Sequence, residues 1–197
     1  GVSAGRPDKG GPRGQSCTGS PRRREARAGT SSLPSAGVTP AVVELQRAGV
    51  AFRVHEFEHD PAERSYGLAA ARALGVEPDR VFKTLLAEVT VAGGATSHAV
   101  GIVPVTAQLS MKEIAAAVGA KRAEMCRPDV AERLTGYVVG GISPFGQKKR
   151  LRTVVDETCE LSDTIFVSGG RRGLDLELAP DALVAVLDAV VAPIAVW

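Results

Sequence analysis

From residue 38 onward, apolar positions switch repeatedly between helical and strand spacing. Thr39 can cap a helix whose first turn holds Pro40, where a missing N–H has no partner to lose, and Gly49 suits the left-handed position that ends it. Val50, Phe52 and Val54 then alternate with Ala51, Arg53 and His55, the period of a half-buried strand. Ser65 opens a second helix and Gly75 closes it. Residues 80–91 and 97–105 read as strands joined by a turn at 92–95. Ser110-Met111-Lys112-Glu113 has the capping-box pattern, ahead of an apolar run from Ile114 to Val118 that Gly119 ends. A short helix is predicted over Pro128–Thr135. Strands at 164–168 and 174–178 flank the run from Gly169 to Gly173. Pro180 starts a terminal helix, and the apolar stretch 182–197 reads as part of it. Asp188 and Pro193 interrupt that stretch, which is too broken to cross a bilayer.

Several consecutive strands with short connections favour an α+β domain: a mixed, largely antiparallel sheet with helices packed around it. With 197 residues, there is enough chain for one domain with a real core. Aromatics are only 4%, so that core has to be built from Ala, Val and Leu. Residues 1–36 break the pattern. They hold seven Gly, four Pro and six Ser, almost no branched apolar residue, and the run Arg22-Arg23-Arg24. Little burial could offset the entropy of ordering them, so a disordered basic extension is expected, with the folded domain at 37–197.

Charge refines this division. The extension carries seven Lys/Arg against two Asp/Glu, a surplus of +5, and the remainder carries 17 against 20, or −3. Nucleic-acid contact would therefore have to come from local patches rather than from overall basicity. Cys17, Cys126 and Cys159 form no C-x-x-C pair, and His55, His59 and His98 lack zinc-hydrolase spacing, so neither a disulfide framework nor a metal cofactor is expected. No secretory signal is visible at the start, and a cytoplasmic location is expected. The sequence leaves the oligomeric state open.

Three segments could carry chemistry. Lys83 lies in the apolar strand Val81-Phe82-Lys83-Thr84-Leu85-Leu86, on the face of Val81 and Leu85; either that face is the exposed one, or the lysine is paired or lines a wet pocket. The run from Gly136 to Gly146 is glycine-rich, so its N–H groups can approach an oxyanion. It matches neither a Walker A loop nor G-x-G-x-x-G. Lys148, Lys149, Arg150 and Arg152 follow directly, and Arg171-Arg172 sit in the later hairpin; both suit a phosphodiester backbone. No Ser-His-Asp triad or activated cysteine can be assembled.

Taken in order, the segments resemble the YbaK family of prolyl-tRNA editing proteins, which deacylate cysteinyl-tRNA(Pro). The resemblance runs through Glu58-His59-Asp60-Pro61, Phe82-Lys83-Thr84-Leu85-Leu86, Gly140-Gly141-Ile142-Ser143-Pro144, Gly146-Gln147-Lys148-Lys149-Arg150 and Arg172-Gly173-Leu174-Asp175, covering residues 38–197. It implies a curved mixed sheet with a pocket for the 3′ end of a charged tRNA. Lys83 matches the central active-site lysine. Gly140, Gly141, Ile142, Ser143 and Pro144 match the loop that holds the ester carbonyl and terminal ribose, and Tyr66, Thr84, Ser168 and Asp175 match other pocket positions. Phe57 stands where relatives have Tyr, which removes a hydroxyl but keeps a ring. Lys148, Lys149 and Arg150 would hold the tRNA backbone. The resemblance further implies that the substrate thiol is the nucleophile and that prolyl-tRNA synthetase is a possible partner. A deacylase for another charged tRNA, such as Ala-tRNA(Pro), and a non-catalytic tRNA- or synthetase-binding module are the competing readings.

Overall fold

The computed structural model describes residues 38–197 apart from Pro61 and Arg64, so the extension assigned to residues 1–36 lies outside the described residues. Helix α1 (Pro40–Ala48) starts where Thr39 Oγ1 accepts the Val42 N–H at 3.3 Å, and Gly49 closes it at φ 67°. The same Thr39 hydroxyl donates to the Gly169 carbonyl, tying the helix start to a strand 130 residues away. Strand β1 (Phe52–Glu56) and helix α2 (Tyr66–Leu74) follow, and Gly75 ends α2 in the left-handed region.

Strands β2 (Val81–Thr90) and β3 (Thr96–Pro104) form the long antiparallel hairpin that their alternation predicts. Next come β4 (Gln108–Leu109), helix α3 (Met111–Ala117), β5 (Arg122–Met125) and helix α4 (Pro128–Thr135). After a long loop lie β6 (Arg152–Asp156), β7 (Ile165–Arg171), β8 (Leu174–Leu178), helix α5 (Pro180–Leu187), β9 (Val190–Ala192) and β10 (Ala195–Val196).

The main sheet runs β1-β8-β7-β2-β3-β6-β9, with β5 paired to β2 outside that path. It is mixed: β2 with β7, β3 with β6 and β6 with β9 are parallel, and the other pairs are antiparallel. One core packs α1, α4 and α5 with Phe82, Ile102, Phe145, Val155 and Leu176, and a second gathers Val103, Leu109, Ile114, Val154 and Ile194.

Two sequence expectations are corrected. The terminal helix stops at Leu187. Asp188 takes a left-handed φ of 51°, and the β-branched Val190–Val191 join the sheet beside β6. The buried Asp156 carboxylate then accepts the N–H groups of Ile194 and Ala195 at 2.9 and 2.7 Å, fixing the tail as chain rather than helix. The capping box at Ser110 forms only in half. Its hydroxyl accepts from Glu113 N–H, but its own N–H donates to the Ile194 carbonyl of the returning tail.

Candidate active site

The site originates in a break along β2. One edge of this strand pairs with β3 throughout, but the other edge is shared. Val81 and Phe82 pair with β7, Ala87 to Thr90 pair with β5, and residues 83–86 lie between the two partners. A cavity of about 550 Å³ opens there, so Lys83, Thr84 and Leu85 all line it although they alternate faces. Helix α2 covers one side. Gly67 lets it approach, because a Cβ there would collide with the Val105 side chain, and Tyr66 in its first turn faces the cavity.

Register fixes which polar groups meet. Asp175 on β8 stands opposite Ser168 on β7, and the last β2–β7 rung is Phe82 against Val167. Lys83 and Ser168 are the next residues along, so Lys83, Ser168 and Asp175 share one face across three adjacent strands. Lys83 is half-buried and takes no hydrogen bond or ion pair among the described residues; burial lowers its pKa from the usual 10.5. Asp175 is 7% exposed, and burial pushes its carboxyl up to about 7. Thr84 Oγ1 and His59 Nε2, both on cavity-lining residues, are buried without partners among the described residues.

The glycine loop and the β7–β8 hairpin close the mouth together. Arg172 lies over the Tyr66 ring at 4.4 Å and donates through Nη2 to the Val139 carbonyl at 2.7 Å. Gly140, at φ 88°, passes so close that a Cβ would sit 2.7 Å from the Tyr66 ring and 3.0 Å from Arg172 Nε. Gly141 meets the Arg171 backbone in the same way. The N–H groups of Gly140 and Ile142 donate to no acceptor among the described residues, whereas that of Gly141 is used by the Val138 carbonyl.

Of the residues expected from sequence, Phe57, Tyr66, Lys83, Thr84, Gly140, Ile142, Ser168 and Asp175 line this cavity. Gly141, Ser143 and Pro144 do not. Ser143 is fully buried, with its hydroxyl accepting Phe145 N–H and its carbonyl accepting from Gln147. Pro144 lines a separate groove of about 600 Å³, together with Arg47, Lys148 and Arg150. Lys148, Lys149 and Arg150 are exposed, but Arg150 is held by the Val186 carbonyl and by Glu44, 3.7 Å away. His59 and Cys126 line the cavity without having been given a role from sequence, and Arg172, expected to meet a phosphodiester backbone, lines it as well.

This fold and cavity define a small α+β domain whose cavity is lined by a lysine without a partner among the described residues and by the loop residues Gly140 and Ile142. Residues 61–186 match the family model described as aminoacyl-tRNA editing domain, and the chain belongs to that family. It is 37% identical over 151 residues to a protein of Enterococcus faecalis named as the Cys-tRNA(Pro)/Cys-tRNA(Cys) deacylase EbsC, covering 75% of this chain and 87% of that one. A second relative, the Multifunctional Ser/Thr-tRNA deacylase ProXp-y of Escherichia coli, is 28% identical over 112 residues, 57% of this chain and 64% of its own length. The fold is shared with a solved structure described as a trans-editing enzyme for prolyl tRNA synthetase. That match has a TM-score of 0.65 at 23% identity and covers 80% of this chain and 93% of that one.

Proposed function

We propose that the protein is an aminoacyl-tRNA deacylase that edits mischarged tRNA in trans, with the cysteinyl ester of proline tRNA as favoured substrate. Membership of the editing family carries the reaction class, and the 37% identity to a protein named for cysteinyl-tRNA favours that amino acid. The observation that carries the mechanism is the unpaired Lys83 in a cavity also lined by Gly140 and Ile142, whose N–H groups have no acceptor among the described residues. In this reading the 3′ aminoacyl group enters between α2 and the glycine loop.

The substrate thiolate attacks its own ester carbonyl. A C–S bond forms, and the carbonyl oxygen gains charge, which Lys83 and the loop N–H groups stabilise. The ester C–O bond then breaks, the ribose oxygen leaves and takes a proton, and water opens the cyclised thiol ester to free cysteine. The enzyme supplies positioning and charge rather than a nucleophile. Cys126 is a poor alternative, since burial raises its thiol pKa and its Sγ lies against the Arg127 carbonyl.

The reaction would take place in the cytoplasm, where tRNA is charged, and prolyl-tRNA synthetase would supply tRNA selectivity. No helix among the described residues is long and apolar enough to cross a membrane. The 28% identity to a Ser/Thr-tRNA deacylase supports one rival substrate class. Purified protein incubated with cysteinyl-, seryl-, threonyl- and alanyl-tRNA separates these readings. Cysteinyl-tRNA should be cleaved far faster than seryl-tRNA, because a thiol of pKa about 8.5 is a few per cent ionised at neutral pH and an alcohol is not. Equal rates would point to an activated water instead.

A further inference from the structure

The mechanism above leaves Asp175 without work, although its burial raises the energy of its charged form. It is the one acidic side chain among the described residues lining the cavity, it is 7% exposed, and it has no hydrogen bond or ion pair there. A carboxylate so buried is destabilising unless a cation meets it. The candidates inside the protein are spoken for. Arg171 pairs with Glu56, Arg172 is held by Val139 and Tyr66, and the neighbouring His55 is bonded to Glu177 at 2.9 Å. Lys83 lies two strands away, about 10 Å between backbones, and burial alone accounts for the displacement of both its pKa and that of Asp175. Alone the group can take up a proton instead, so a cation that keeps it ionised would come from the ligand. A metal is a poor fit to this donor set, since the described residues contain no group of three His, Cys, Asp or Glu side chains placed to hold one.

We infer that Asp175 binds the free α-ammonium group of the aminoacyl ester, so that the protein cleaves esters with an unblocked amine and spares N-acylated ones such as peptidyl-tRNA. This rests on the deacylase reading above. An aminoacyl ester carries its ammonium one carbon from the reacting carbonyl. A cavity with Asp175 on one side and Lys83 on the other matches that polarity, cation to carboxylate and developing oxyanion to lysine. The pair therefore orients the ester as well as holding it. A carboxyl with a pKa near 7 would be half protonated at neutral pH when alone, and a neighbouring ammonium would keep it ionised.

The test pairs a change in the enzyme with the same change in the substrate. Deacylation of cysteinyl-tRNA, N-acetylcysteinyl-tRNA and 3-mercaptopropionyl-tRNA, all of which keep the thiol, is measured with the wild type and with Asp175→Asn. The asparagine is isosteric and removes a buried charge, so folding should be retained. In the wild type, kcat/KM should favour the free amine by about 10- to 100-fold beyond the ratio seen with Asp175→Asn, the range of a charge-assisted hydrogen bond. The variant ratio corrects for the intrinsic difference in ester reactivity. Equal ratios in both proteins would overturn the assignment. Binding of L-cysteine methyl ester against methyl 3-mercaptopropionate at pH 6 gives the same contrast without turnover. Preference for the amine in the wild type alone supports Asp175, even if cysteinyl-tRNA survives and the deacylase reading fails. Equal binding by the wild type sinks it.

Discussion

Lys83 is a residue whose sequence environment already argued for a role, and the cavity explains why a strand can carry it. Its neighbours Val81 and Phe82 are buried, but on one edge the strand has no partner between β7 and β5, so the half-buried lysine lines the cavity there. Lys83→Ala should cut single-turnover deacylation by about 100-fold or more, with an unchanged circular-dichroism spectrum; near wild-type rates would remove it from the mechanism. The pH profile should have two limbs. The rate rises toward the substrate thiol's pKa and falls again as Lys83 loses its proton at a pKa below 10.5. Lys83→Arg, which stays charged, should abolish the falling limb. Asp175 makes an independent prediction about stability. Its carboxyl titrates near 7 in the fold and near 3.8 when unfolded, so the native state holds the extra proton in between. Stability therefore drops as pH rises from about 4 to 7, by an amount on the order of 3 kcal/mol. Asp175→Asn should melt at a higher temperature than wild type at pH 8 and at the same temperature near pH 4.

Among the elements, the glycine loop and the β7–β8 hairpin depend on each other. Gly140 is legible as a glycine that a pocket requires, but the sequence could not say what it must avoid. In the structure that is the Tyr66 ring and Arg172. Gly140→Ala combines a strained φ with this collision, so it should displace the loop and reduce activity by at least about tenfold. The loss of melting temperature should be small, because the residue is half-exposed. Gly146→Ala should do the reverse. Its Cβ would fall on the Pro40 carbonyl, and its N–H is bound by Glu44, so docking of α1 against the loop suffers first. A drop in melting temperature larger than that of Gly140→Ala would show the two glycines serving different purposes. If Gly140→Ala were fully active, the loop could not be forming the wall of the substrate site.

For the whole molecule, the question is how a domain of net charge −3 would hold tRNA. Lys148 and Arg150 line the second groove, with Lys149 between them in sequence, and the loop that leads into them lines the Lys83 cavity through Gly140 and Ile142. That arrangement suits a ligand whose end is buried in one cavity while its backbone runs over the other. Reversing the charge of Lys148 and Lys149 should weaken tRNA binding and flatten its salt dependence by roughly one unit of slope per lost phosphate contact, with kcat little changed. Arg150 should contribute less, being already engaged by Glu44 and Val186. Removing residues 1–36 should leave melting temperature and kcat unaltered, because that stretch has almost no apolar side chains to add to a core.

The sequence by itself determined the local elements and the identity of the chemistry-bearing residues. The Thr39, Pro40 and Gly49 boundaries of α1, the β2–β3 hairpin, α4 and the paired strands around Gly173 all follow from capping, turn and alternation rules acting over a few residues. The segment order also carried the family resemblance. Tertiary structure decided the rest, because it depends on partners distant in the chain. The segment after Asp188 is strand and not helix because β6 offers it an edge and Asp156 offers it a carboxylate. The loop residues 140–144 divide between a cavity, a core and a second groove because their backbone turns within a few residues. Lys83, Ser168 and Asp175 lie up to 92 residues apart in sequence and share one face only through the registers of β2, β7 and β8. No local rule encodes a register between strands that meet across the whole fold.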